Sequence, residues 1–260
     1  MKLVYGLEFP DISEVLVWPD FFAGFNKIAL INLLALVLSV IFFWVAGSRD
    51  AMVAPTGVRN VAESSVEFIE EGIVMQTMGR EGLSWTPFLL TLFVYIFLTN
   101  ITGIIPILQM PANARMAGPA VLALIVWVTF IVVGFKHQGA SYLKNALFPP
   151  GVPKALYILV TPIEFISTFL VRPFSLAVRL FANMLAGHIL LVTFAVLTDA
   201  LITANAAWLK PIFILPFAML VFLTLFEVLV CFLQAYIFTI LAAVYIGEGA
   251  AGHGDDIDHH

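Results

Sequence analysis

Apolar residues run along this chain in five long blocks, and the polar residues between and within them decide how each block is read. A helix crossing about 30 Å of hydrocarbon takes about 20 predominantly apolar residues. Residues 22–46 form one such block, which stops at the polar "GSRD". Residues 85–108 and 118–135 are two more of ordinary spanning length. Between the first and second lies "VRNVAESSVEFIEEGIVMQTMGR", residues 58–80, where Ala62, Val66, Ile69 and Ile73 recur at helical spacing and Glu63, Glu67, Glu70 and Glu71 fill the other face. This pattern predicts an amphipathic helix lying on the membrane surface or against a partner. The partner is favoured, because an acidic face gains nothing from anionic lipid.

The last two blocks, residues 155–197 and 211–246, are too long for a plain crossing. At 1.5 Å per residue they extend roughly 64 Å and 54 Å as helices. Each must break in mid-membrane or lie tilted beyond the usual range of about 0–40°. Pro173 and Pro216 are the only nearby breakers, and neither has the Gly, Asn or Asp cluster of a turn. The expected arrangement is a steeply tilted helical hairpin that turns within "TDALITANAAWLKP", residues 198–211. Such a hairpin needs a large neighbour to support it in lipid.

Composition agrees with this reading. Of 260 residues, 62% are hydrophobic and 11% charged, with a mean hydropathy of +1.03; soluble domains run at about 45–50% apolar and about 25% charged. The fold class is therefore an all-α integral membrane protein of about five membrane-embedded helices plus one amphipathic helix, read as a single membrane domain over residues 1–260. The net charge of -5 comes with no basic region that suggests nucleic acid. The single cysteine, Cys231, sits in an apolar run and reads as a small buried residue. The first 20 residues carry acids and prolines without a continuous apolar core, so they do not read as a signal peptide. The tail "HGDDIDHH" reads as a flexible acidic end rather than a metal site. Under five crossings, Arg49, Arg59, Arg80, Lys136, Lys144 and Lys154 fall on one side and Lys2, Arg115 and Lys210 on the other. The basic excess places the N-terminus outside and the C-terminus in the cytoplasm.

The hairpin carries the candidate chemistry. Its first arm contains "RPFSLAVRLFANMLAGHILL". A guanidinium at the bilayer centre costs roughly 2.5–3.5 kcal/mol on the insertion scale. Arg172 and Arg179 are two helical turns apart and share a face, which Asn183 joins; His188 falls about 180° from Arg179. In the second arm Glu227 and Gln234 again share a face. Arg172, near the membrane end, is able to snorkel and serve as support. Gln234 suits a helix-joining hydrogen bond, and Glu164 reads equally as a structural acid or as channel lining. Arginine does not deprotonate in proteins, so Arg179 acts as a fixed field, whereas His188 and Glu227 are able to pass protons. No oxygen ring for a metal and no nucleophile with its base appears, so neither metal nor cofactor is expected.

These motifs resemble the a-subunit family of F-type ATP synthases, the stator of a membrane rotary motor. The resemblance rests on the first-arm motif above together with "FEVLVCFLQAYIFTILAAVYI" in the second, and "LTNITGIIP" is similar to the family's earlier helix. It implies that Arg179 is the essential arginine facing a carboxylate on a rotating c ring, with Gln234 near it. It implies that His188 and Glu227 are channel positions at which the family often holds Glu and His in the opposite order, and that Arg172 is a commonly basic position. One departure concerns the acidic segment that often precedes the family's next helix. Here the chain reads "MPANARMAG", with Arg115 and no acid, so that role is not transferred to Asn113.

The resemblance further implies a bacterial plasma-membrane protein that couples proton flow to ATP synthesis. Its partners would be the c ring, peripheral-stalk b-type subunits, other ATP synthase subunits and the lipid bilayer. Two offset half-channels, with Glu164 bordering the inner one, would be separated by Arg179. An independent proton-coupled transporter would need a substrate pocket and usually repeat symmetry, and neither is visible. A non-conducting respiratory scaffold explains the hairpin but not the cost of Arg179.

Overall fold

The computed structural model describes residues 27–47, 57–105, 112–139, 141–142, 147–148, 156–203 and 210–251. The beginning of the first expected span, the end of the second, the middle of the hairpin turn and the acidic tail lie outside them. Every described element is helical. Helix α1 is Lys27–Gly47. Helix α2, Val58–Ile69, continues through a π-helical turn, Glu70–Val74, into Met75–Thr77. A 3₁₀ segment, Gly79–Trp85, leads into α3, Thr86–Ile101. Helix α4 is Ala117–Gln138. The first hairpin arm consists of α5, Tyr157–Ile166, a π turn, Ser167–Val171, and α6, Arg172–Thr203. The second arm is α7, Ile214–Ala251. Among the described residues, four apolar helical stretches are long enough to cross a membrane, and Ile28–Trp44 is a shorter fifth. The all-α membrane architecture is as expected.

The amphipathic segment differs from its expected setting. Ala62, Ile69 and Ile73 are buried, but against the chain's own α1, α3 and α7. Phe68 meets Phe93, Phe232 and Tyr236 at ring separations of 5.8, 5.9 and 5.7 Å, within the range of favourable aromatic contact. Glu63, Glu67 and Glu71 stay exposed. The π turn gives this helix its reach: the extra residue re-aims the apolar face so that Val74 is buried beside Ile73. The helix ends at Thr77 rather than at residue 80 because Gly79 takes a φ of +65°, a backbone state that favours glycine.

The hairpin arms are longer and less interrupted than their apolar blocks. The first runs for 47 residues, Tyr157–Thr203, about 70 Å of helix. It passes Pro173 without a break. A proline withholds the hydrogen bond that the carbonyl four residues earlier would accept, and the π turn directly before it absorbs the mismatch, with Arg172 N–H donating to the Ser167 carbonyl. Helix continues to Thr203, past the start of the turn expected at residues 198–211. The second arm extends to Ala251, five residues past the expected end, and so carries Glu248. Leu176, Ala177 and Leu180 of α6 and Ala235, Phe238, Ala242 and Ala243 of α7 pack with α3 and α4 in the main core. The three alanines let α7 approach closely, the usual device for helix association in lipid.

Candidate functional site

The two arms run antiparallel, and their facing polar residues pair in sequence along the hairpin. At one end the Arg172 guanidinium donates to Glu248 and lies 4.9 Å over the Tyr245 ring. Farther along, Asn183 Nδ2 donates to Gln234 Oε1 at 2.7 Å. Beyond that, Gly187 lies against the Glu227 carboxylate, so closely that a Cβ at Gly187 would collide with both carboxylate oxygens. Gly187 is glycine for the space it leaves.

Arg179 lies between the first two of these pairs and joins neither. It is exposed, and it makes no hydrogen bond or ion pair among the described residues. Ala182, Asn183, Ala186 and Leu190 continue its exposed face at helical spacing. The neighbours on this stripe are mostly small, so a second apolar surface is able to come close to the guanidinium. The expectation that Arg179 and His188 see different surroundings holds: His188 is only 6% exposed and points inward.

His188 and Glu227 line one small cleft together with Asn100, Gly103, Ile104, Met184 and Leu191. Glu227 is 8% exposed. The pair expected from the sequence is thus brought into one cleft, but no direct hydrogen bond joins it. His188 Nε2 is buried without a hydrogen-bond partner among the described residues. Glu227 also borders a larger open pocket, lined by Asn183, Gly187, Leu190, Leu223 and Phe226. A single carboxylate therefore faces both the buried cleft and the outer side of the hairpin that bears Asn183. Gln234, 2% exposed, spends its carbonyl on Asn183 and keeps a buried Nε2 without a partner among the described residues.

A polar network enters the cleft from α3. Asn113 Nδ2 donates to Thr99 Oγ1 at 2.9 Å and to Asn100 Oδ1 at 2.7 Å, leaving Asn113 Oδ1 and Asn100 Nδ2 buried and unpaired among the described residues. Buried polar groups are seldom left in this state. Asn113 carries no role legible in the sequence alone. Its place in the fold is one hydrogen bond from a residue that lines the His188–Glu227 cleft. Asn100 was visible only as part of a motif, and Glu248 was missed; its signal was an acid beyond an apolar block judged to end at residue 246. Glu164 is half-buried on α5 and belongs to neither the cleft nor the open pocket. Among the described residues, no three His, Cys, Asp or Glu side chains gather as a metal site.

The fold and the site define a class: an all-helical integral membrane protein whose long hairpin leaves an arginine unpaired on one face and turns an acid and an imidazole into a cleft on the other. Comparison with known sequences narrows the class. The profile of the ATP synthase A chain family matches residues 28–247. The chain is 43% identical over 235 residues to ATP synthase subunit a of Frankia alni, covering 88% of this chain and 78% of the relative. It is 42% identical over 248 residues to the same subunit of Hyphomonas neptunium, covering 93% and 94%, and 42% identical over 224 residues to that of Rhodococcus erythropolis, covering 85% and 81%. The chain belongs to the ATP synthase A chain family.

Proposed function

We propose that this chain is the proton-conducting stator subunit of a bacterial ATP synthase, and that Arg179 separates two offset half-channels at its interface with a rotating ring of carboxylate-bearing subunits. Family membership supports the role in ATP synthesis and proton transport. The observation that carries the finer reading is the unpaired, exposed Arg179 in the middle of an apolar arm about 70 Å long. A membrane arginine ordinarily faces a bundle interior or pairs with a partner. Since none of the described residues is that partner, the pairing group comes from another subunit. A ring carboxylate fits, because the small side chains around Arg179 admit a close helix.

In this mechanism a proton reaches the cleft of His188 and Glu227, with Asn100 and Asn113 on its approach. Glu227 hands it across the open pocket to a ring carboxylate, which then turns into lipid in neutral form. After nearly a full turn that carboxyl releases its proton on the cytoplasmic side, where Glu164 borders the inner half-channel. The guanidinium attracts the deprotonated carboxylate and bars direct passage of protons between the half-channels, since arginine keeps its own proton. Each charge crossing the membrane yields about 2.3 kcal/mol per 100 mV, so many steps drive one ATP. The long hairpin lies tilted along the ring, with the N-terminus outside and the C-terminus in the cytoplasm of a bacterial plasma membrane. Peripheral-stalk b-type subunits and the remaining ATP synthase subunits complete the assembly.

The test is ATP-driven acidification of inverted vesicles carrying Arg179→Ala in an assembled complex. Pumping should fall to background, and ADP phosphorylation should fail. Coupled synthesis at the native rate would exclude the mechanism.

A further inference from the structure

Arg172 and Arg179 stand seven residues apart on one helical face, about 10.5 Å along the axis. Only one of them is neutralised. Glu248, from the last turns of α7, receives the Arg172 guanidinium, and Tyr245, three residues earlier, lies beneath it at 4.9 Å. Arg172 keeps 25% side-chain exposure and Glu248 keeps 49%, so the pair lies at the surface of the hairpin rather than in its core. Tyr142 lies within electrostatic reach of both groups. The end of α7 is held independently of this pair: Gln138 Nε2 of α4 donates to the Gly249 carbonyl at 3.0 Å. A clasp is therefore not all that Glu248 supplies, since α7 is already fastened one residue away.

We propose that Glu248 is a specificity-determining residue of the motor: by neutralising Arg172 it leaves Arg179 as the single unpaired cation of that face for a passing carboxylate. The inference rests on the reading of the Arg179 face as rotor-facing. A mobile carboxylate bound to Arg179 must also leave it. A second unpaired guanidinium two turns away attracts the same carboxylate. It would hold the ring between two minima and slow every step. Glu248 removes that competitor while leaving Arg172 in place.

The experiment uses the assembled complex in inverted vesicles and compares the native chain with Glu248→Gln, Arg172→Gln/Glu248→Gln and Arg179→Ala. It measures ATP-driven acidification, ATP hydrolysis and the amount of this subunit in the complex. Glu248→Gln should lower pumping and hydrolysis together by about tenfold, with protons moved per ATP unchanged. The double variant, which removes both charges, should regain most of the rate. Glu248→Ala, which offers Arg172 no amide oxygen, should follow the same pattern and serves where Glu248→Gln does not assemble. A merely structural clasp predicts the reverse, because the double variant also lacks the pair; a double variant as slow as the single would overturn the proposal. So would native pumping in both Glu248 variants. Arg179→Ala keeps the two readings apart. If it pumps, the rotor-facing reading fails, whereas if it is inactive while the Glu248 variants are normal, only the role of Glu248 fails.

Discussion

Arg172 and Arg179 lie on the same face of one helix, two turns apart, and the chain treats them in opposite ways. Opposite the end of α7, Arg172 has a carboxylate to pair with and a tyrosine ring beneath it. In the middle, Arg179 has small exposed neighbours and no partner among the described residues. The residue type is the same, and Arg179 stands two turns farther along the arm. A chain able to place Glu248 opposite one guanidinium could place an acid opposite the other. What stands across from the middle of the arm instead is Gln234, whose carbonyl oxygen is taken by Asn183. Charge that serves the fold is satisfied within the fold. Charge left open in an apolar setting is what the proposed function assigns to a counter-charge from a second subunit.

The comparison breaks most sharply at Arg179 itself. Arg179→Ala should reduce pumping to background, and Arg179→Lys should not restore it fully. Lysine is a compact, strongly hydrated charge that loses its proton more readily when buried. Acidification of inverted vesicles, normalised to assembled complex, measures both. Next in size are His188→Ala and Glu227→Ala, each expected to cut proton flux by about a hundredfold if these side chains pass the proton. Passive proton flow through the membrane sector after the catalytic head is stripped away is the readout. Unchanged flux in both variants would assign the pair to packing.

Gly187→Val addresses the route between cleft and hairpin face. The added side chain occupies the place of the Glu227 carboxylate and should lower flux by about tenfold through misplacement of that group. Gly187→Val that conducts normally would show that Glu227 need not stand there. The smallest effect belongs to Asn183→Leu. It removes one cross-arm hydrogen bond, and such bonds in membrane helices are worth about 0.6 kcal/mol on average. The expected outcome is a slight loss of stability in detergent denaturation of the complex, with pumping retained.

Most of the hairpin was legible from residue spacing. Arg179 and Asn183 on one face, His188 on the other, and Glu227 aligned with Gln234 follow from 3.6 residues per turn, and the structure keeps these relations over a continuous α6 and α7. The boundaries were less legible. A hydropathy block ends where polar residues begin, but a helix ends where its hydrogen bonds do, so α6 reaches Thr203 and α7 reaches Ala251. Glu248 was lost in that gap. The π turns at residues 70–74 and 167–171 leave no pattern in a single sequence. They arise from packing and from Pro173, and they decide which side chains face inward after them. The amphipathic helix was recognised correctly, but its apolar face could not reveal that the surface it covers belongs to its own chain.

The amino-acid sequence by itself determined the all-helical membrane class, the overlong arms and the presence of a permanent charge where apolar residues belong. These follow from composition and local periodicity, which need no knowledge of what packs on what. Only the tertiary structure decided that Arg172 is paired and that Arg179 is not among the described residues, and that Asn100, bonded to Asn113, lines the His188–Glu227 cleft. It alone put Glu227 between that cleft and the open pocket, in space left by a glycine. Each of these is a contact between distant parts of the chain. Its geometry is set by how helices approach one another, so spacing along one helix does not contain it.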